Sequence, residues 1–124
     1  MDVLKGAKVF LLEDDFLINE ATADLLRELG CNVTAVFTIE QALAALEHQR
    51  PEAAVLDINI KGEPSYPVAD RLHELAVPIV FLTGYEMPAV YGTWRQHPVC
   101  RKPCDPDLLR KFLEHALRTR QDQP

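Results

Sequence analysis

The sequence predicts an α/β fold, a doubly wound five-stranded parallel sheet with helices on both faces. Five short apolar runs alternate with five segments of helical character, which is typical of a parallel sheet. The connections are only a few residues long, and neither a linker nor an internal repeat divides the chain. Right-handed crossovers then place helices on both faces. We therefore expect residues 1–124 to form one domain with a core of about 7–118.

The chain begins with a strand and an amphipathic helix. Residues 7–12 form the first apolar run, and residues 16–29 show helical periodicity before Gly30, which supplies a C-terminal stop. Four apolar residues of this helix recur at helical spacing, and we expect them to form its inward face: Ile18, Ala21, Leu25 and Leu29.

A second strand and helix follow. The strand is predicted at residues 32–36. Thr38 and Gln41, three residues apart, form a capping box that starts the helix, and Pro51 ends the segment. The apolar residues that this helix is expected to bury are Ala42, Leu43 and Leu46.

The third strand ends on a carboxylate. Residues 53–56 are a short apolar run of Ala, Val and Leu, and Asp57 follows directly. A buried strand interior has no use for an aspartate, whereas the carboxyl end of a doubly wound sheet borders its ligand crevice. Asp57 is therefore predicted to be a functional carboxylate at the sheet edge. The alternative is an aspartate that only stabilises a turn.

The second half begins with a predicted loop over residues 60–66, which are rich in turn formers. Pro67 suits the first position of a third helix, because its missing N–H is not needed there. Residues 78–82 are the fourth strand. The apolar residues that line one face of the third helix are Val68, Leu72 and Leu75.

The last third contains the weakest helix signal of the chain. Residues 86–97 have a poor helix composition, so we expect a short or mobile helix there. Residues 98–101 form a brief fifth strand, and Asp105 caps a final helix that begins at Pro106. The inward residues of the final helix are Leu109, Phe112, Leu113, Ala116 and Leu117.

Composition excludes several classes of function. The net charge is −6 without a basic block, so we expect no nucleic-acid partner. We also expect no membrane span, because no apolar run approaches the necessary length. Three cysteines, Cys31, Cys100 and Cys104, form no disulfide framework, which favours the reducing cytoplasm, and the scattered Cys and His residues do not indicate a metal site.

Reactive side chains follow four of the five predicted strands. They are Glu13 and Asp14, then Asp57, Thr83 and Lys102. Carboxylates 4–5 Å apart would repel by about 3–4 kcal/mol per pair at an effective dielectric constant of 20. A lysine and Mg²⁺, which binds oxygen ligands and phosphate, would relieve that repulsion. The set suits phosphoryl transfer, with the aspartate as nucleophile. Considered singly, each of these residues also has a purely structural explanation. The acids after the first strand could cap a helix, the threonine could belong to a turn, and the lysine could lie at the surface.

With these motifs in place, the chain resembles the receiver domain of two-component response regulators from residue 9 to about residue 117. The resemblance implies a flavodoxin-like fold with strand order 2-1-3-4-5. It also implies that Asp57 is the phosphoacceptor, and that Thr83 and Lys102 contact the phosphoryl group. Asp15 has no role in the family pattern, and we interpret it as charge at a helix start.

The resemblance also implies a Mg²⁺ site. Asp14, Asp57 and the backbone carbonyl of Asn59 would bind the ion directly, and Glu13 would act through water.

Three features depart from the usual family pattern. The loop after the phosphoacceptor contains residues 60–63, Ile-Lys-Gly-Glu, instead of Met-Pro and Asp-Gly. Val99 stands where the family usually has an aromatic switch residue, so Tyr85 is the other switch candidate. Residues 81–85, Phe-Leu-Thr-Gly-Tyr, resemble the signature of the Phe-Ala-Thr-Gly-Tyr (FAT GUY) subfamily, which is linked to kinases of the HWE type.

We therefore predict a stand-alone receiver that accepts a phosphoryl group from a histidine kinase onto Asp57 and signals by protein contact, rather than a metabolic enzyme. One alternative is a Mg²⁺-dependent phosphohydrolase with an aspartate nucleophile, because Glu13-Asp14-Asp15 comes close to the spacing of its two acids. That class usually carries a cap domain, which the chain lacks. A second alternative is a receiver-like binding module that never carries phosphate.

Overall fold

The computed structural model describes residues 2–84 and 97–121. Its main sheet has five parallel strands in the order β2-β1-β3-β6-β7. They are β1 (Lys8–Leu12), β2 (Asn32–Val36), β3 (Ala53–Asp57), β6 (Ile79–Thr83) and β7 (Val99–Arg101). Counted within this sheet alone, the order is 2-1-3-4-5, which confirms the predicted flavodoxin-like fold.

Four helices and one small hairpin complete the part of the chain that the structure describes. The helices are α1 (Phe16–Glu28), α2 (Ile39–Ala45), α3 (Tyr66–Glu74) and α4 (Pro106–Gln121). The hairpin pairs β4 (Asn59–Ile60) with β5 (Glu63–Pro64). No helix among these is long and apolar enough to cross a membrane.

Both faces of the sheet are covered, so its central strands are apolar on both sides. Alternate residues of β1 show this: Phe10 and Leu12 pack into the core cluster that includes residues of α2 and α3. Val9 and Leu11 pack into the other cluster, which includes residues of α1 and α4. Because both faces of these strands are buried, their positions in the sheet are fixed. The residues at their carboxyl ends are therefore held at one edge of the sheet.

The predicted inward face of α1 is confirmed in part, since Leu25 and Leu29 pack against the core cluster, but its fully buried centre lies on other residues. The buried residues are Asn19, Ala23 and Leu26, whereas the predicted Ala21 is exposed. The other predicted members, which are only partly buried, are Ile18, Leu25 and Leu29. The predicted set and the fully buried set both have helical spacing. Counting apolar residues favours the predicted set, because the fully buried set contains a polar residue, Asn19, whose side chain is hydrogen-bonded.

The other helices follow their predictions more closely. Thr38 caps α2 by accepting from the Gln41 N–H at 3.0 Å, as the capping box predicts. The Gln41 side chain reaches back to the N–H of Phe37 at 2.9 Å. Four predicted inward residues are only partly buried: Leu43 in α2, Leu75 at the end of α3, and Phe112 and Ala116 in α4.

The predicted loop over residues 60–66 is wrong, because it contains most of the β4–β5 hairpin and the start of α3. Lys61 and Gly62 form its two-residue turn with φ of 52° and 86°. Positive φ at both positions is the geometry that matches the twist of a tight hairpin. Lysine rarely adopts it, so the composition indicated only a turn.

The predicted helix over residues 86–97 lies, apart from His97, outside the described residues, as does the switch candidate Tyr85. The other switch candidate, Val99, is partly buried and packs against the cluster that contains Phe81.

Candidate functional site

The carboxyl ends of four strands meet at one edge of the sheet. Asp57 and Thr83 are the last residues of β3 and β6, while Asp14 and Lys102 lie just beyond β1 and β7. All four line one cavity of about 460 Å³. Glu13 lies fully buried beside them. The structure thus brings together every side chain that the sequence places at the strand ends.

Lys102 joins the two buried acids. Its ammonium Nζ donates to Asp57 Oδ2 at 2.6 Å and forms an ion pair with Glu13 Oε1. The Lys102 side chain is 16% exposed, whereas those of Glu13 and Asp57 are 0% and 4% exposed. Burial opposes the charged lysine, but the hydrogen bonds and charges of the two carboxylates outweigh it and raise the pKa of Lys102.

Glu13 and Asp14 differ in electrostatic environment although they are adjacent in the chain. Burial raises the pKa of Glu13 to about 7, against the opposing pull of Lys102. For Asp14, burial opposes the charged form, but the neighbouring Glu13 side chain and the hydrogen bond from the Lys61 N–H outweigh it and lower the pKa. The Lys61 N–H lies 2.8 Å from Asp14 Oδ2, so the hairpin tip closes one side of the site.

The acids can hold a divalent cation. Glu13, Asp14 and Asp57 each offer a carboxylate oxygen, and these atoms lie within 4.8 Å of one another. Asn59 lines the same cavity, and its N–H donates to Asp57 Oδ1 at 3.1 Å. A set of hard oxygen donors beside a cavity fits Mg²⁺, which prefers a few carboxylates and keeps several waters.

Thr83 carries a buried hydroxyl without a hydrogen-bond partner among residues 2–84 and 97–121. Leaving such a group unpaired costs about 1–3 kcal/mol. Because Thr83 lines the cavity beside Asp57 and Lys102, its hydroxyl is placed to bond an oxygen that enters the site.

Two polar residues at the site were missed from the sequence. Asn19 and Ser65 are buried, and both donate to main-chain carbonyls of the acids. The signal for Asn19 was a polar residue within an amphipathic helix, and for Ser65 a serine just before a helix. Asp15 caps α1 by accepting from the Ile18 N–H at 3.0 Å, which confirms its interpretation as charge at a helix start.

Comparisons with known proteins agree on one family. The response regulator receiver domain matches residues 9–114. The chain is 30% identical over 122 residues to the transcription factor SKN7 of Saccharomyces cerevisiae, covering 94% of this chain and 20% of that protein. It is 28% identical over 122 residues to the sensor protein TorS of Escherichia coli, covering 93% of this chain and 13% of that protein. The chain therefore spans only a small part of these relatives.

Among solved structures, the chain is similar to SdrG from Sphingomonas melonis Fr1, with 35% identity and a TM-score of 0.80. The match covers 94% of this chain and 99% of the SdrG chain. Sequence, topology and the cluster of acids with a lysine at the strand ends agree, and the chain belongs to the response regulator receiver domain family.

Proposed function

We propose that this chain accepts a phosphoryl group from a histidine kinase onto Asp57. Receiver domains are phosphorylated by histidine kinases, bind Mg²⁺ at an acidic pocket and signal to downstream partners. The observation that carries the proposal is the contact of 2.6 Å between Lys102 Nζ and Asp57 Oδ2 at the wall of an open cavity. The adjacent unpaired hydroxyl of Thr83 supports it.

The reaction needs a carboxylate nucleophile and neutralisation of the phosphoryl oxygens. An oxygen of Asp57 attacks phosphorus, the P–N bond of the kinase phosphohistidine breaks, and its electron pair returns to the imidazole. Lys102 shifts its hydrogen bond from Asp57 to a phosphoryl oxygen, and Thr83 donates to another.

Mg²⁺ fits this site as a resident ion. Asp14, Asp57 and the backbone carbonyl of Asn59 would hold it, with Glu13 acting through water. The ion would neutralise charge on the transferring oxygens. Burial is the main cause of the raised pKa of Glu13, so a negative charge at this position is costly even beside Lys102.

We propose that the signal leaves through the surface formed by β7 and α4, with Tyr85 and Val99 as the switch candidates. A partly buried valine in β7 cannot rotate as an aromatic ring does, which leaves Tyr85 as the aromatic candidate.

Three finer proposals concern the biological setting. The chain works as a stand-alone receiver, which is supported by the match over 99% of the SdrG chain. It belongs to the FAT GUY subfamily and pairs with a kinase of the HWE type, which residues 81–85 support. It acts in the cytoplasm, which is supported by three free thiols, Cys31, Cys100 and Cys104.

The phosphohydrolase alternative would need Asp15 as its second acid. In the structure Asp15 is exposed and caps α1, so it is already engaged in a structural role. The phosphoacceptor chemistry is therefore preferred.

The test is intact-mass spectrometry after incubation with Mg²⁺ and a small phosphodonor such as phosphoramidate, with Asp57→Asn as the control. We expect one phosphoryl adduct that requires both Mg²⁺ and Asp57. An unmodified wild-type chain, or an adduct of equal yield in Asp57→Asn, would overturn the proposal. Steady turnover of a phosphate monoester would support the hydrolase instead.

A further inference from the structure

The described part of the chain contains five buried polar or charged residues: Glu13, Asn19, Asp57, Ser65 and Thr83. Three of them are reactive groups of the candidate site. Because burial of a polar side chain is costly unless it is hydrogen-bonded, the partners of the other two are informative. Both donate to the main-chain carbonyl of a site acid, Asn19 to that of Glu13 and Ser65 to that of Asp57.

Ser65 stands at the capping position of α3 but does not use its side chain as a helix cap. It directly precedes α3, where a serine usually accepts from an N–H of the first helical turn. Its side chain makes no such bond. Instead, Ser65 Oγ donates to the carbonyl oxygen of Asp57 at 2.6 Å, and its N–H donates to the carbonyl of Ile58 at 2.8 Å. These two hydrogen bonds hold the end of the β4–β5 hairpin against the main chain of Asp57 and Ile58.

Asn19 makes a similar contact with the main chain of Glu13. Its Nδ2 donates to the carbonyls of Glu13 and Val36, at 3.0 Å each. The N–H of Glu13 also donates to the carbonyl of Val36 at 3.2 Å. The amide group thus uses both of its donors to hold the turn after β1 against the end of β2.

We propose that Asn19 and Ser65 are positioning residues that set the separation of the Glu13 and Asp57 carboxylates, and thereby the Mg²⁺ affinity and the rate of phosphoryl transfer. This inference rests on the proposed function of the site. Carboxyl side chains are short, so a displaced main chain moves their oxygens. Mg²⁺ tolerates little displacement of Asp57, which would be a direct ligand, because it requires near-octahedral ligands at 2.0–2.1 Å. A displaced Glu13 would misplace the water through which it acts.

Ser65→Ala tests one half of the proposal. Loss of a supporting hydrogen bond behind a ligand typically costs about tenfold to a hundredfold in affinity or activity. We expect the Kd for Mg²⁺, measured by isothermal titration calorimetry, to rise about tenfold, and adduct formation at Asp57 to slow about tenfold. The matched control is Thr38→Ala, which removes the capping hydroxyl of α2 at a residue that does not line the cavity. We expect it to lower Tm but to leave the Kd for Mg²⁺ unchanged.

Asn19→Ala tests the other half, with Ala23→Gly on the same buried face of α1 as its control. The control weakens the helix but leaves the carbonyls of Glu13 and Val36 paired. We expect a weaker Mg²⁺ affinity for Asn19→Ala alone. If that variant does not fold, Asn19→Ser, which retains one donor, should show an intermediate Kd.

The outcomes separate this inference from the proposed function. A wild-type chain that accepts phosphate, together with Ser65 and Asn19 variants that match it in Kd and rate, overturns the inference alone. Equal losses of Mg²⁺ affinity in the variants and their controls also overturn it, because general destabilisation would then explain the effect. A wild-type chain that binds Mg²⁺ but gains no adduct overturns the proposed function, while the Kd values still decide the positioning role.

Discussion

Lys102→Met removes the cation that joins the two buried acids while retaining an apolar side chain of similar length. In the wild type, the ammonium contacts Asp57 and Glu13, whose side chains are 4% and 0% exposed. Breaking a buried ion pair by removing one partner costs about 3–5 kcal/mol. An independent figure comes from the carboxylate oxygens, which lie within 4.8 Å of one another. At that distance and an effective dielectric constant of 20, a pair of charges repels by roughly 3 kcal/mol.

We therefore expect Lys102→Met to lower the free energy of unfolding by about 3–5 kcal/mol at pH 8 without metal. The loss should shrink as the pH falls from 8, because the variant lacks the lysine contact that lowers the pKa of Glu13. Its Glu13 therefore binds a proton at a higher pH than in the wild type, which relieves the repulsion. Added Mg²⁺ should restore stability by binding the acids in the folded state.

Urea unfolding followed by circular dichroism, at pH 5 and pH 8 with EDTA or Mg²⁺, measures these differences. Lys61→Met is the matched control, because Lys61 is an exposed cation at the same cavity whose N–H still donates to Asp14 after substitution. The reasoning is refuted if Lys102→Met is as stable as the wild type at pH 8 in EDTA, or if Lys61→Met loses as much stability.

Two further predictions use the other buried groups of the site. Thr83→Ala removes the unpaired hydroxyl, so we expect a gain of about 1 kcal/mol in the free energy of unfolding, with an unchanged Kd for Mg²⁺ and slower adduct formation. Loss of stability together with an unchanged rate would contradict it. Folding raises the pKa of Glu13 from 4.5 to about 7, so between these pH values the folded state binds a proton that the unfolded state does not. The contribution of Glu13 to stability therefore falls as the pH rises from 4.5 to 7. Glu13→Gln should remove this part of the pH dependence, which metal-free thermal unfolding across the window measures; an unchanged slope would contradict the assignment.

The sheet and the strand-end side chains were predictable because a single local signal determines them. Apolar runs such as residues 53–56 must be buried on both faces, so the polar residue that follows, Asp57, is forced to the sheet edge. The topology then brings Asp57 together with Asp14 and Lys102 without any further information from the sequence.

The fully buried centre of the α1 face was not predictable from apolar spacing. The register in which Asn19 is buried differs by one residue from the register that buries Ile18, and apolarity favours the latter. Asn19 is stabilised in its position by carbonyls at the ends of β1 and β2, which are close to it only in the folded chain. Contacts with main-chain atoms of other elements leave no periodic signal.

The β4–β5 hairpin was missed for a related reason. Its turn contains Lys61 at a positive φ of 52°, whereas the strong sequence signals for such turns are Asn-Gly and Asp-Gly. The hydrogen bond from Lys61 N–H to Asp14, 47 residues earlier, holds the turn against the site. The same hairpin brings Ser65 back to Asp57. Both contacts join residues that are separated in the sequence, so neither could be predicted from local sequence patterns.

The central claim is that Asp57 forms an acyl phosphate, and reductive trapping tests it most directly. After incubation with Mg²⁺ and phosphoramidate, borohydride converts an aspartyl phosphate to homoserine, and peptide mass spectrometry then locates the modified residue. We predict homoserine at position 57 only, and only when Mg²⁺ and donor are both present. Homoserine at position 14 or 15, or a phosphoryl adduct that borohydride leaves intact, would contradict the claim.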